Sequence, residues 1–123
     1  MTIDANILIA YLDGEEKIVA FINNLIETGQ IIFLPATVEI EVLSFAQWKP
    51  EEVSEVERFL DKSFIFVPID RNITRLTAKI RRNTKIKTPD ATIAATALST
   101  YTPLLTRNIN DFKNIPDLDI QTI

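Results

Sequence analysis

Apolar residues along this chain alternate between two patterns. Short, almost continuously apolar runs at Thr2-Ile3, 31–34, 64–69 and 103–106 read as strands, and Asp119-Ile120-Gln121-Thr122-Ile123 as an edge strand. The run Ile31-Ile32-Phe33-Leu34, stopped by Pro35, is apolar on both faces, which suits a central strand of a parallel sheet covered on each side by helices. Between these runs the apolar spacing widens to about 3.6 residues, the period of a helix with one buried face. It predicts helices over 5–12, from Glu15 to Gly29, from Val38 to about Gln47, over 51–62, over 71–82 and from Thr88 through Leu98. Their inner stripes are Ile18, Ile22 and Leu25, then Val38, Val42, Phe45 and Ala46, then Val53, Val56, Phe59 and Leu60, then Ile73, Leu76 and Ile80. Polar residues mark the starts: Asp13 or Gly14, Thr37, Asp70 or Asn72, and Thr88 are suited to cap helices, and Pro89 fits a first helical position. Strands alternating with helices predict an α/β fold with a mainly parallel sheet.

Residues 86–98 organise the rest. Ala91, Ile93, Ala94, Ala95 and Leu98 give a small-residue apolar face suited to close packing on a sheet, and Asp90 sits in the first turn, where the helix dipole favours negative charge.

Length and composition narrow the chemistry. A chain of 123 residues with 46% hydrophobic and 24% charged residues is one globular domain. It has no cysteine and no histidine. That excludes disulfides, thiolate metal sites, Ser-His-Asp triads and the usual zinc ligands. Any metal would be held by oxygen, which points to magnesium or manganese. No apolar run approaches the roughly 18–20 residues of a membrane span, and no signal peptide is visible, so the expected location is cytoplasmic and off the membrane.

A net charge of −4 argues against a nucleic-acid partner, yet its distribution does not. Between Asp70 and Asp90 there is no acidic residue, and seven of the thirteen cations fall there: Arg71, Arg75, Lys79, Arg81, Arg82, Lys85 and Lys87. Such a stretch is either a solvated helix face or a local track for a phosphate backbone.

Four acids are placed for the carboxyl edge of the sheet, where open parallel sheets bind ligands. Asp4 ends the first strand, Glu41 lies in the helix after the second, Asp90 opens its helix, and Asp111 follows the last apolar run in a polar loop. Each has a plain structural alternative: Asp4 as a cap, Glu41 or its neighbour Glu39 as solvent-facing helix residues, Asp90 as a dipole partner, Asp111 as a loop acid. Gathered at one edge, they would repel unless a cation neutralised them. A magnesium ion, or two, would do so and would activate water against a phosphodiester.

The residues also carry a resemblance. Ile3-Asp4-Ala5-Asn6-Ile7-Leu8-Ile9 looks like the opening of PIN-domain proteins, and Thr37-Val38-Glu39-Ile40-Glu41-Val42-Leu43 resembles their second-acid helix. Lys87-Thr88-Pro89-Asp90-Ala91 with Ile93-Ala94-Ala95 is similar to the third-acid motif, and Leu105-Thr106-Arg107-Asn108 with Asp111-Phe112 to the terminal one. The resemblance covers the whole chain and is strongest to the VapC-type toxins of toxin–antitoxin pairs. It implies a three-layer α/β/α sandwich and a magnesium- or manganese-dependent endoribonuclease acting on RNA. It implies Asp4, Glu41, Asp90 and Asp111 as the acidic site, with Asp4, Asp90 and Asp111 on the metal and Asn6, Thr106 and Asn108 in support. Of the two glutamates it selects Glu41, which Val42-Leu43 follows. It further implies a cognate antitoxin and a homodimer. Phe45, Trp48 and the apolar residues of 53–60 supply a physical motive for the dimer, since they exceed what a small domain readily covers. Arg81, Arg82, Lys85 and Lys87 are the candidate RNA contacts.

Two other readings compete. A PIN domain that binds RNA or protein without cutting would share these motifs. A phospho-receiver domain would need an acid beside Asp4 and a lysine after Leu105-Thr106, and the chain has neither.

Overall fold

The computed structural model describes residues 1–123. Five short strands, β1 (Thr2–Ile3), β2 (Phe33–Pro35), β3 (Ile65–Val67), β4 (Leu104–Leu105) and β5 (Ile120–Gln121), form one sheet in the order β3-β2-β1-β4-β5. Every neighbouring pair is parallel. In β1 and β4 successive residues point to opposite faces, and both residues of each strand are buried. The sheet is therefore covered on both sides, as in a three-layer α/β/α sandwich. Seven helices supply the cover: α1 (Ala5–Leu12), α2 (Glu16–Glu27), α3 (Ala36–Leu43), α4 (Pro50–Ser63), α5 (Arg71–Asn83), α6 (Thr88–Thr100) and α7 (Ile109–Phe112).

The strand order places the site. From β1 the chain steps outward through β2 to the edge strand β3, then returns to the other side of β1 as β4. The order reverses at β1 and β4, and the crevice beyond the carboxyl ends of such strands is where open α/β sheets bind ligands. Asp4 follows β1 and Thr106 follows β4.

Helix α6 is the central packing element. Its residues Ala91 through Ala97 are all buried, which the small side chains permit by letting the sheet and α5 approach together. No helix is long and apolar enough to cross a membrane.

Several boundaries differ from the sequence pattern. The strand expected over 31–34 is β2, two residues later and beside the central strand β1; Ile32 is buried, but Ile31 is more than half exposed. Helix α3 stops at Leu43 rather than near Gln47, because the Trp48 indole Nε1 donates to the Val42 carbonyl at 2.9 Å and satisfies a group the helix end leaves free. Phe45 is consequently outside the helix and exposed. Thr37 is not a cap but lies in the first turn of α3, its hydroxyl bonded to that of Thr92 at 2.6 Å, which ties α3 to α6. Glu15, not Asp13 or Gly14, precedes α2, and Lys87, not Thr88, precedes α6. The loop expected around Asp111 is the short helix α7, anchored by the buried Phe112. Asp70 caps α5, accepting from Ile73 N–H at 2.8 Å.

Candidate active site

Asp4 is the fixed point. It caps α1 in extended backbone conformation and is only 4% exposed. Its Oδ1 accepts from the Ala5 N–H at 2.8 Å, and its Oδ2 accepts from the Thr106 hydroxyl at 2.6 Å. Thr106, fully buried, also accepts from the Asn108 N–H at 3.0 Å and, at a long 3.5 Å, from the Asn6 amide. Asn6 in turn accepts from the Arg107 N–H at 3.3 Å. One hydroxyl thus joins the ends of β1 and β4 and aims the carboxylate. The Asn108 side chain makes no hydrogen bond; its contribution is the backbone N–H.

The other acids reveal their places by their electrostatics. Burial pushes the Asp4 carboxyl up from its ordinary value, the bonds from Thr106 and Ala5 oppose this, and the charge of Asp111 adds to the rise. Glu41 is raised by burial, then by the charges of Asp4 and Asp90. Asp90 is raised by burial, then by Asp4 and Asp111, against a smaller lowering by Lys87. All four acids named from the sequence therefore share one field. Glu39 is elsewhere: burial and the charges of Asp61 and Glu57 raise its carboxyl, so it lies toward α4. Carboxyls raised by burial and by neighbouring like charges at the edge of a cleft are a feature of functional clusters.

Asp90 and Asp111 line one concavity and Glu41 another. A cleft of about 540 Å³ is lined by Lys85, Lys87, Asp90, Asn110, Asp111 and Asn114 among others. Glu41 lines an apolar groove of about 440 Å³ formed with Ile9, Leu12, Val42, Phe45 and Trp48. Of the four cations proposed for RNA, Lys85 and Lys87 line the first cleft; Arg81 and Arg82 do not. Arg81 donates from Nε to the Ile86 carbonyl at 3.2 Å and so braces the loop before α6. Asn110 and Asn114 were not singled out by their pattern. Asn110 is one of the two residues between Asn108 and Asp111 of the terminal motif, while nothing local marks Asn114. Nor does local pattern reveal that the Arg107 guanidinium is paired with Glu15, 92 positions away.

The donor set is all oxygen, and its negative charges are uncompensated apart from Lys87 beside Asp90. No three acidic side chains stand at direct ligating distance from one point. The oxygen-only donors, rather than any closed cage, are what match a magnesium ion, which keeps several waters and takes one or two carboxylates.

Against known proteins, the chain matches the PIN domain family over residues 1–118. It is 29% identical over 121 residues to Ribonuclease VapC19 of Mycobacterium tuberculosis, covering 94% of each chain. In structure it is similar to a toxin–antitoxin complex from Klebsiella pneumoniae (TM-score 0.80, 27% identity, 99% of this chain and 98% of that one). It is also similar to VapBC2 from Rickettsia felis bound to a promoter DNA fragment (TM-score 0.84, 21% identity, 99% and 97%). With the acids of all four motifs drawn to one edge of a parallel sheet and the family match spanning nearly the whole length, this chain belongs to the PIN-domain family.

Proposed function

We propose that this protein is a magnesium- or manganese-dependent endoribonuclease, the toxin of a toxin–antitoxin pair. The observation that carries the reading is the buried, doubly hydrogen-bonded Asp4 sharing its field with Glu41, Asp90 and Asp111 at the reversal of strand order. The names of the relatives, a ribonuclease and toxin–antitoxin complexes, support it.

In this reading Asp4, Asp90 and Asp111 would hold the ion, one or two of them by direct bonds and the rest through its waters. When bound, it supplies positive charge for the scissile phosphate and lowers the pKa of water. The chain does the rest. Lys85 and Lys87 draw the RNA backbone into the cleft beside Asp90. Thr106 keeps Asp4 in one orientation. Glu41, raised by burial and then by its acidic neighbours, takes the proton from the attacking water as its oxygen bonds to phosphorus. The bond from phosphorus to the leaving ribose oxygen breaks, and that oxygen takes up a proton from solvent. Purified protein with magnesium is expected to cut single-stranded RNA, and Asp4→Asn and Asp90→Asn to abolish cutting. Full activity in both variants would overturn the assignment.

The apolar groove ending at Glu41 is where an antitoxin segment would lie, its apolar side chains against Ile9, Phe45 and Trp48. Self-association belongs to the same reading, but on altered grounds. Val56 and Leu60 are covered within the fold, and Phe59 stacks on Tyr11 and meets Phe64 edge to face, so α4 does not demand a partner. Exposed Phe45 and Ile40, and Ile65 and Phe66 on the edge strand, still do. A single-chain mass by light scattering would count against a dimer.

One observation favours a second reading, a PIN domain that binds without cutting: no three acids are at ligating distance. Calorimetry showing no magnesium or manganese binding at millimolar concentration would select it.

A further inference from the structure

A second cleft, of about 330 Å³, adjoins the one at Asp90; Asn83 and Thr84 form part of both walls. It lies between α5, the end of α6 and the turn at Pro116 and Asp117. Half-buried Leu76 and Leu98, with Pro116, give it an apolar lining, while exposed Lys79, Asn83 and Asp117 stand at its opening.

The charge around it is unusual. Arg71, Arg75, Lys79 and Arg82 recur at helical spacing along the exposed side of α5, where like charges three or four residues apart destabilise a helix. None has an ion-pair partner within the chain, whose only such pair is Arg107 with Glu15. The helix dipole favours the cations of the last turn, whereas those further forward, Arg71 and Arg75, gain nothing from it, so the row as a whole is a surface suited to meet a polyanion. Asn83 is held in place, its Nδ2 donating to the Lys79 carbonyl at 2.9 Å, which leaves Oδ1 free to accept. Lys79 lies one helical turn, about 5.4 Å, back from it.

We propose that this second cleft is a nucleotide subsite. It takes the unpaired base one step beyond the two nucleotides joined by the scissile phosphate. The base packs on Leu76, Leu98 and Pro116, Asn83 reads its hydrogen-bonding edge, and Lys79 meets the phosphate that follows. The inference rests on the ribonuclease reading and deepens it. Apolar faces accept any base, whereas a fixed amide discriminates among edges, and only single-stranded RNA can present a free base to such a cleft.

The test compares a single-stranded RNA oligonucleotide with a dinucleotide, which lacks the extra base, as substrates of wild type, Lys79→Gln, Asn83→Ala and the control Arg58→Gln. Lys79→Gln is expected to raise KM for the oligonucleotide by about tenfold, leave dinucleotide cleavage unchanged, and lower the slope of log affinity against log salt by about 0.7. Asn83→Ala is expected to redistribute the cleavage positions, and Arg58→Gln to do neither. An active wild type whose KM, salt slope and cleavage map are indifferent to both changes would overturn the subsite. Binding of the labelled oligonucleotide in an Asp90→Asn background separates the two questions. RNA that is bound but never cut by wild type, with a slope that still depends on Lys79, would overturn the nuclease and uphold the subsite; a slope unmoved by Lys79→Gln would overturn the subsite alone.

Discussion

The Thr106 hydroxyl donates to Asp4 Oδ2 at 2.6 Å across 102 positions of sequence. It joins the carboxyl ends of β1 and β4 at a fully buried point. Removing it leaves a buried carboxylate oxygen without its donor and the Asn108 N–H without its acceptor. Thr106→Val should therefore cost about 1.5–3 kcal/mol in urea unfolding and lower RNA cleavage, with Thr106→Ser restoring most of both. Unchanged stability in the valine variant would show that the bond is not formed in solution.

Charge removal at the cluster should act oppositely on stability and activity. In Asp90→Asn and Glu41→Gln the metal-free protein loses the burial of a charge and the repulsion that Asp4 and Asp90 exert on Glu41, or that Asp4 and Asp111 exert on Asp90. Melting temperature should rise in the absence of metal, while cleavage with magnesium falls by about a hundredfold or more. A variant both less stable and fully active would contradict this.

The pH dependence follows from the same shifts. Asp4, Glu41 and Asp90 titrate above their ordinary values of 3.8, 4.5 and 3.8. Above those values the folded chain binds more protons than the unfolded one, so these groups lose stability as pH rises. Glu15, lowered by its bond from Arg107, acts in the opposite sense. Metal-free melting from the ordinary carboxylate range to neutrality should decline more steeply in wild type than in Asp90→Asn. Millimolar magnesium should flatten the decline, by binding the folded state; parallel curves would refute the shared field.

Close packing around α6 makes size, not polarity, the constraint there. Ala94 and Ala95 have no exposed surface. Ala95→Leu should destabilise by about 1–3 kcal/mol, and Ala95→Gly by about 1 kcal/mol through helix propensity, both read by chemical denaturation. Tolerance of leucine would mean that α6 stands further from the sheet than described.

Much of the architecture could be read from local pattern because each buried strand or helix imposes its own period. The buried pairs of β1 and β4 and the alanine-rich 91–97 stretch reflect burial on every side, so their identities were legible. Where one side chain overrode the local period, as Trp48 does in ending α3 and Phe112 in anchoring α7, the boundary was not. The open choice between Glu39 and Glu41 is similar. Both are helical and acidic, and only their neighbours, Asp61 and Glu57 for one, Asp4 and Asp90 for the other, tell them apart.

By itself the sequence determined an oxygen-only chemistry, through the absence of histidine and cysteine, and the alternation of strands and helices that yields a parallel sheet. It also placed Asp4 just after a strand, Glu41 within the next helix, Asp90 at a helix start and Asp111 after the last apolar run. Tertiary structure alone decided that β4 lies beside β1, and hence that Thr106 reaches Asp4 and that Asn83 divides two clefts. The reason is one of range. Periodicity reports what a residue does within a turn or two of its own backbone, whereas strand order is set by the burial of the whole chain at once.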